Sequence, residues 1–158
     1  MRYTLEESTM EHAEKLAPIM NEDDKRELWA SNHSTPLESL LLGIEYSVEK
    51  VTMIGAKGEI IAMLGVVPEF KPDATTNQGI IWALGSPHQF KYSRQFLKMS
   101  KNILEKWLQK YSYLENFVDV RHTRSIRWLR WLGFTIGKAE LRGPDAMPFS
   151  HFYQRREK

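Results

Sequence analysis

Hydrophobic positions change their period along the chain. In the first third they recur at helical spacing: Ala13, Leu16, Ala17 and Met20, then Leu28, Trp29 and Ala30, then Leu37, Leu40, Leu41 and Ile44. Ahead of them Arg2 to Leu5 alternates weakly and predicts a short strand, while Ser8 and Glu11 have the spacing of a capping box that would start the first helix. Pro18 disturbs that helix's last turn. The second pattern, Asn21 to Ala30, opens on acidic residues, which suit the positive end of a helix, and Pro36 stands where a first helical turn tolerates it.

From Val48 the period shortens. Two β-rich runs, VEKVTMIGA and EIIAMLGVV, meet across Lys57 and Gly58 and predict a hairpin with a tight glycine turn. The turn-rich EFKPDATTNQG predicts a loop, and the all-apolar Ile80 to Leu84 predicts a central strand buried on both faces and ending at Gly85. Ser86, Pro87, His88 and Gln89 combine an N-cap residue, Pro at the first helical position and Gln at the third. A long amphipathic helix follows, with Phe96, Leu97, Ile103, Leu104, Trp107, Leu108 and Tyr111 on one side and Lys98, Lys101, Glu105, Gln109 and Lys110 on the others. The strand Leu114 to Val120 then stops at a polar break, Arg121 to Thr123, where an Arg-rich helix begins that ends in Leu132, Gly133 and Phe134. Phe134 to Ala139 and Phe149 to Gln154 read as closing strands around the loop RGPDAMP, with RREK a frayed tail.

Composition narrows the classes. The 158 residues, 42% of them hydrophobic and 18 aromatic, are enough for one ordinary core, so a single domain over 1–158 is the expectation. A net charge of +2 makes a nucleic-acid partner unlikely on bulk charge. With no cysteine, thiol nucleophiles, disulfides and Cys-based zinc sites are excluded, and His12, His33, His88 and His151 show no metal-ligand spacing, so no metal site is expected. The N-terminus has no apolar signal-peptide core and no stretch is long and apolar enough for a membrane span, so a soluble intracellular protein is expected.

The order strand, two or three helices, three strands, helix, strand, helix, two strands predicts an α/β sheet covered by helices. With the helix ending in Leu132-Gly133-Phe134, it resembles the GNAT family of acyl-CoA-dependent N-acyltransferases. The resemblance implies a central, mixed, mostly antiparallel sheet of six to seven strands with helices on both faces. A closer resemblance is to small phage proteins with a degenerate GNAT-like fold, the group that includes the internal virion protein A of short-tailed coliphages. It is carried by Asp24, Glu27 and Ala30, by Trp82 to Ser86, by Phe96 and Leu97, and by Asn116 to Asp119 followed by Ser125 to Leu129. It implies a phage or prophage origin and a location in the host cytoplasm or the virion.

The GNAT resemblance implies acetyl-CoA as donor and an amine as acceptor, with Leu84, Gly85, Ser86, Lys91, Arg94 and His122 about the cofactor. Acyl transfer needs donors for the pyrophosphate at a helix start, a group to take the amine's proton and an acid for the leaving thiolate. Here the sequence departs from the family. The segment HQFKYSRQF has no glycine where the phosphate turn would lie, and bulky Phe90 and Tyr92 stand there instead. Leu129 replaces the usual tyrosine, and it cannot donate a proton. His122 replaces the usual asparagine; its ordinary pKa near ~6.5 suits a base or a ligand-contacting donor, and a turn residue capping the helix is the plainer reading. Glu69 and Asp119 are the carboxylates placed toward an acceptor, and Asp119 either faces solvent or pairs with an arginine. Arg121, Arg124, Arg127 and Arg130 recur every third residue with Trp128 and Trp131 between them, a stripe suited to phosphate or an acidic partner but more commonly a solvent face over a Trp-filled core. Two functions follow: an N-acetyltransferase, or a non-catalytic phage protein acting in virion assembly or on a host protein.

Overall fold

The computed structural model describes residues 1–69 and 77–157. The elements run β1 (Tyr3–Glu7), α1 (Met10–Leu16), a 3-10 turn (Ala17–Ile19), α2 (Glu22–Asn32), α3 (Pro36–Tyr46), β2 (Glu49–Gly55), β3 (Ile60–Glu69), β4 (Gln78–Gly85), α4 (His88–Lys91), α5 (Ser93–Lys110), β5 (Tyr113–Asp119), α6 (Thr123–Trp131), β6 (Thr135–Arg142) and β7 (Met147–Arg155). The seven strands form one sheet in the order β1-β2-β3-β4-β5-β7-β6, antiparallel throughout except where β5 lies parallel to β4. The mixed, mostly antiparallel sheet is as the sequence predicted.

Helices cover both faces because the central strands are apolar on both. Ile81 and Ala83 of β4 pack with Phe96, Met99, Leu104 and Trp107 of α5 and Leu129 of α6, while Leu84 and Trp82 pack with Leu16 of α1 and Leu40 of α3. Trp82 lies flat against Gly43 and Gly65 and donates its indole N–H to Ser47 Oγ at 2.8 Å. A Cβ on either glycine would collide with the indole, so these two positions let α3 and β3 close onto it.

Several local expectations shift. The first helix is capped one residue later than Ser8 and Glu11 suggest: Thr9 Oγ1 accepts the His12 N–H at 3.2 Å and His12 Nδ1 accepts the Thr9 N–H at 3.1 Å. Ser8 is instead buried, bonded to Thr52 Oγ1 at 2.8 Å, because β1 extends to Glu7 and carries it into the sheet. A second capping box, Thr35 with Glu38, starts α3. The loop predicted over EFKPDATTNQG begins inside β3 and ends inside β4; residues 70–76 lie outside the described residues. RGPDAMP is only a turn, since Arg142 belongs to β6 and Met147 to β7. The tail is pinned through Arg156, whose backbone N–H donates to Ser112 O at 2.8 Å and whose Nη1 donates to Gln109 O at 2.9 Å.

β4 and β5 pair only from Gln78 opposite Tyr113 to Ile80 opposite Glu115, and then part. Asn116 fills the start of the gap, donating from Nδ2 to Ile81 O at 2.6 Å and accepting the Phe117 N–H at 2.7 Å. Its side chain thereby replaces ladder bonds that the diverging strands no longer make.

Candidate active site

The wider part of the gap is met by two carboxylates from α2. Asp24 and Glu27 are one helical turn apart and so share a face. Asp24 Oδ2 accepts the Gly85 N–H at 2.9 Å, capping the end of β4, and Glu27 Oε2 accepts the Asp119 N–H at 2.9 Å, capping the end of β5. Asp24 Oδ1 lies 2.7 Å from His122 Nε2. His122 occupies the N-cap position of α6 but makes no side-chain cap bond, which corrects the reading of it as a helix-capping residue. Its ring is committed to Asp24, so Nε2 carries a proton, while Nδ1 is buried without a hydrogen-bond partner among the described residues.

Asp119 is fully buried, and its solvent-facing reading does not hold. Arg121 wraps it with its backbone N–H and Nε on Oδ1 at 2.9 and 3.0 Å and Nη2 on Oδ2 at 2.6 Å. Burial alone would raise this carboxyl, but the Arg121 hydrogen bonds and charge prevail and hold it below its ordinary range. Asp119 is therefore a fixed anion that anchors the turn into α6.

The other two groups move upward. Desolvation, only partly offset by the nearby His122 charge and the Asp119 N–H, pushes Glu27 from 4.5 to about 7. For His122 burial by itself lowers the pKa, but the Asp24 hydrogen bond and the charges of Glu27 and Asp24 outweigh it, and the net shift is upward. Linkage then sets the sign of a stability change. Between about 4.5 and about 7 the folded state keeps a proton on Glu27 that the unfolded chain has lost, so that contribution fades as pH rises through about 7. The His122 contribution is complete below its ordinary value and is likewise lost as pH rises through the raised one. Urea denaturation should therefore show the protein more stable at pH 5 than at pH 8, by about 3 kcal/mol. Equal stability at the two values would contradict the placement of these groups.

Two cavities meet at this cluster and share Ala83, Ser125 and Trp128 as lining. The larger, about 800 Å³, passes through the sheet at the gap: Ser100, Ile103 and Leu129 line it on the α5–α6 side, and Leu28, Leu42 and Tyr46 on the α2–α3 side, with Glu27 also in its wall. The smaller, about 190 Å³, is bounded by Asp24, Gly85, Gln89, Phe90, His122 and Arg124. Ile81 O and Gly85 N both point into the gap, so strand alternation puts the N–H and C=O of Ala83 on the same edge.

The predicted site residues are dispersed around this centre. Leu84 lines the large cavity, Gly85 and His122 the small one. Ser86 is buried and structural, its hydroxyl donating to Ile60 O at 2.6 Å and accepting the His88 N–H at 3.2 Å. Lys91 is exposed on the side of the β2–β3 turn, near enough to Glu59 to act on its charge, and Arg94 is exposed on the first turn of α5. Neither lines either of these two cavities. The bulk at the phosphate turn comes from Gln89 rather than Phe90 or Tyr92. The Gln89 side chain lies where a Gly85 Cβ would point and accepts from Asn21 Nδ2 at 2.8 Å. Tyr92 is buried, its hydroxyl accepting the Ala56 N–H at 3.1 Å, and Phe90 is exposed with Arg124 stacked 4.5 Å over its ring. The Arg stripe is divided in the same way: Arg121 serves Asp119, Arg124 the small cavity, and Arg127 and Arg130 face solvent, as does Trp131.

Comparison with solved structures gives one consistent answer. An acetyltransferase of the GNAT family from Bacillus anthracis aligns with a TM-score of 0.71 at 9% identity, covering 100% of this chain and 97% of that one. The fold is that of the GNAT acetyltransferases. A GNAT-superfamily phosphinothricin acetyltransferase from Sinorhizobium meliloti, solved in complex with AcCoA, aligns at 0.69 with 15% identity over 99% of this chain and 89% of that one. The spermidine N-acetyltransferase from Vibrio cholerae, solved with CoA and spermine, aligns at 0.66 with 12% identity over 98% and 95%. No family model matches the sequence, and no curated protein matches it. On this GNAT scaffold Leu129 is buried against the large cavity, so no hydroxyl stands there. Among the described residues no helix is long and apolar enough to cross a membrane, and no group of His, Asp and Glu side chains could hold a metal.

Asp24 and Glu27 are the residues that reading for chemistry passed over. The available signal was their i, i+3 spacing on the face of α2 that also carries Leu28 and Ser31, where acidic residues have no reason to sit unless something polar meets them.

Proposed function

We propose that this protein is an N-acetyltransferase that moves an acetyl group from acetyl-CoA to a primary amine, with Glu27 as the general base. The observation that carries the reading is a buried carboxyl, Glu27, in the wall of a through-sheet cavity at the point where two strands part, where burial pushes its pKa up to about 7. A base poised near neutral pH can accept the proton of an incoming ammonium and exists as carboxylate often enough to do so.

The residues present fit the thioester arm of the donor. An amide-bearing chain can pair with the Ala83 edge as an added strand would, and the unpartnered Nδ1 of His122 would gain an acceptor there. When bound, acetyl-CoA supplies an activated acyl carbon and a thiolate leaving group. His122, whose protonated form Asp24 favours against the effect of burial, would in that form turn Nδ1–H as a hydrogen-bond donor toward that group, a part that Leu129 cannot play. The nucleotide half fits less closely: Gln89 covers Gly85, and Asp24 already takes its N–H, so the phosphates would rely on the side chain of Arg124, with Arg94 and Lys91 exposed outside the small cavity.

That same occupancy favours a second reading. Asn116, Asp24 and Glu27 satisfy backbone groups along the gap that a ligand would otherwise use. A phage protein that keeps the scaffold for virion assembly or for a host-protein contact, in the virion or the host cytoplasm, would have this plugged gap and would bind no acyl-CoA.

Calorimetric titration with acetyl-CoA separates them. The transferase reading predicts saturable binding that stabilises the protein against heat, weakened about tenfold in His122→Ala. Absence of heat and of any thermal shift at millimolar acetyl-CoA would remove it in favour of the second reading.

A further inference from the structure

Among the described residues lining the large cavity, two carry charge, and they are of opposite sign: Glu27 and Arg142. Both are placed by β5, one by its free edge and one by a side chain on its face. Glu27 is bonded to the Asp119 N–H at 2.9 Å, and the Arg142 guanidinium lies 3.6 Å over the Phe117 ring. Phe117 and Asp119 are two residues apart on one strand, with roughly 7 Å between their Cα atoms, so the two charged groups are held at neighbouring positions along β5. Around them the wall on this side is mostly apolar, with Leu28, Leu42, Tyr46 and Trp82 beside the small hydroxyls of Ser31 and Ser39.

Arg142 is held flat on an aromatic face, which leaves its planar edge of donors free for an anion. Its carboxylate partner, Glu140 Oε1 at 3.1 Å from Nη1, is largely exposed, and an exposed pair of this kind contributes about 1 kcal/mol or less. A ligand carboxylate can displace it at little cost. A polyamine, by contrast, would need several anions along its length, and among the described residues Glu27 is the only one lining the cavity.

From these positions we infer that the acceptor is a primary amine with an apolar body and a carboxylate a few bonds from the nitrogen, the pattern of an amino acid with a large apolar side chain. The amine sits at Glu27, the carboxylate at Arg142 and the side chain among the apolar residues. This rests on the transferase reading for its chemistry, but recognition of the acceptor does not require the donor.

Calorimetric titration of the full chain without acetyl-CoA tests it, with phenylalanine, phenethylamine and spermidine as probes. Phenylalanine should bind about tenfold or more tightly than phenethylamine, which lacks the carboxylate, and spermidine more weakly than phenylalanine. Arg142→Gln should erase the preference by weakening phenylalanine alone, and its melting temperature should stay close to that of the parent because Arg142 is half-exposed and its ion pair with Glu140 lies at the surface. Equal binding of the two aromatic probes, preference for spermidine, or no binding of any probe at millimolar concentration would overturn the inference. If acetyl-CoA does not bind but phenylalanine does, with the Arg142 dependence, the transferase reading falls and this binding site stands.

Discussion

Replacing Glu27 with glutamine is expected to lower the rate of acyl transfer by about 10²- to 10⁴-fold without unfolding the protein. Glutamine is isosteric, and its carbonyl oxygen can still accept the Asp119 N–H that Glu27 Oε2 accepts at 2.9 Å, so the end of β5 stays capped. What disappears is the capacity to take a proton near neutral pH. Burial is the main cause of the raised pKa, so removing the ionisable group also removes the cost of charging it. At pH 8 the variant should consequently be as stable as the parent or more so in a urea titration. Acetyl-CoA affinity should be little changed, because Glu27 acts on the acceptor. A variant that keeps most of the parental rate would mean the proton leaves by another route.

Asp24→Ala should have the larger effect on stability, a loss of about 3–5 kcal/mol read from the denaturant midpoint at pH 6. Asp24 holds two buried groups at once: the Gly85 N–H at 2.9 Å and the His122 ring at 2.7 Å. Alanine leaves the first without an acceptor and the second without its largest favourable partner, so burial then governs His122 and its pKa should fall. An NMR titration of the His122 ring would show that fall directly. A loss below about 1 kcal/mol with an unmoved His122 titration would mean the pair is not formed as described.

How much of this was legible in the sequence depends on the range of the interaction. The all-apolar Ile80 to Leu84 and the hairpin across Lys57 and Gly58 announce themselves locally, because burial on both faces and a turn at positive φ each demand a residue type. The position of His122 at the end of β5 was also readable. Its partner is not: Asp24 lies 98 residues away, and the i, i+3 spacing of Asp24 and Glu27 shows that they share a face with Leu28 and Ser31 but not which distant groups that face meets. The same limit hid the filler of the phosphate turn. Phe90 and Tyr92 are the bulky residues of that segment, yet Tyr92 is drawn into the core by the Ala56 N–H, and Gln89 is turned onto Gly85 by Asn21. Missing glycines were visible; which side chain took their place was decided by packing. Asp119 was read as solvent-facing or paired with arginine, and pairing prevailed because Arg121 stands two residues on and reaches back with three donors.

The central claim is that a carboxyl with a pKa near 7 takes the acceptor's proton inside the gap between β4 and β5. The most direct measurement is thiol release from acetyl-CoA with a panel of primary amines, phenylalanine among them, followed from pH 5.5 to 9. The predicted result is amine-dependent release whose rate rises with an apparent pKa close to 7, a limb that Glu27→Gln lacks. Amine-dependent release with the same pH profile in Glu27→Gln, or no amine-dependent release at any pH from a protein that binds acetyl-CoA, would contradict it.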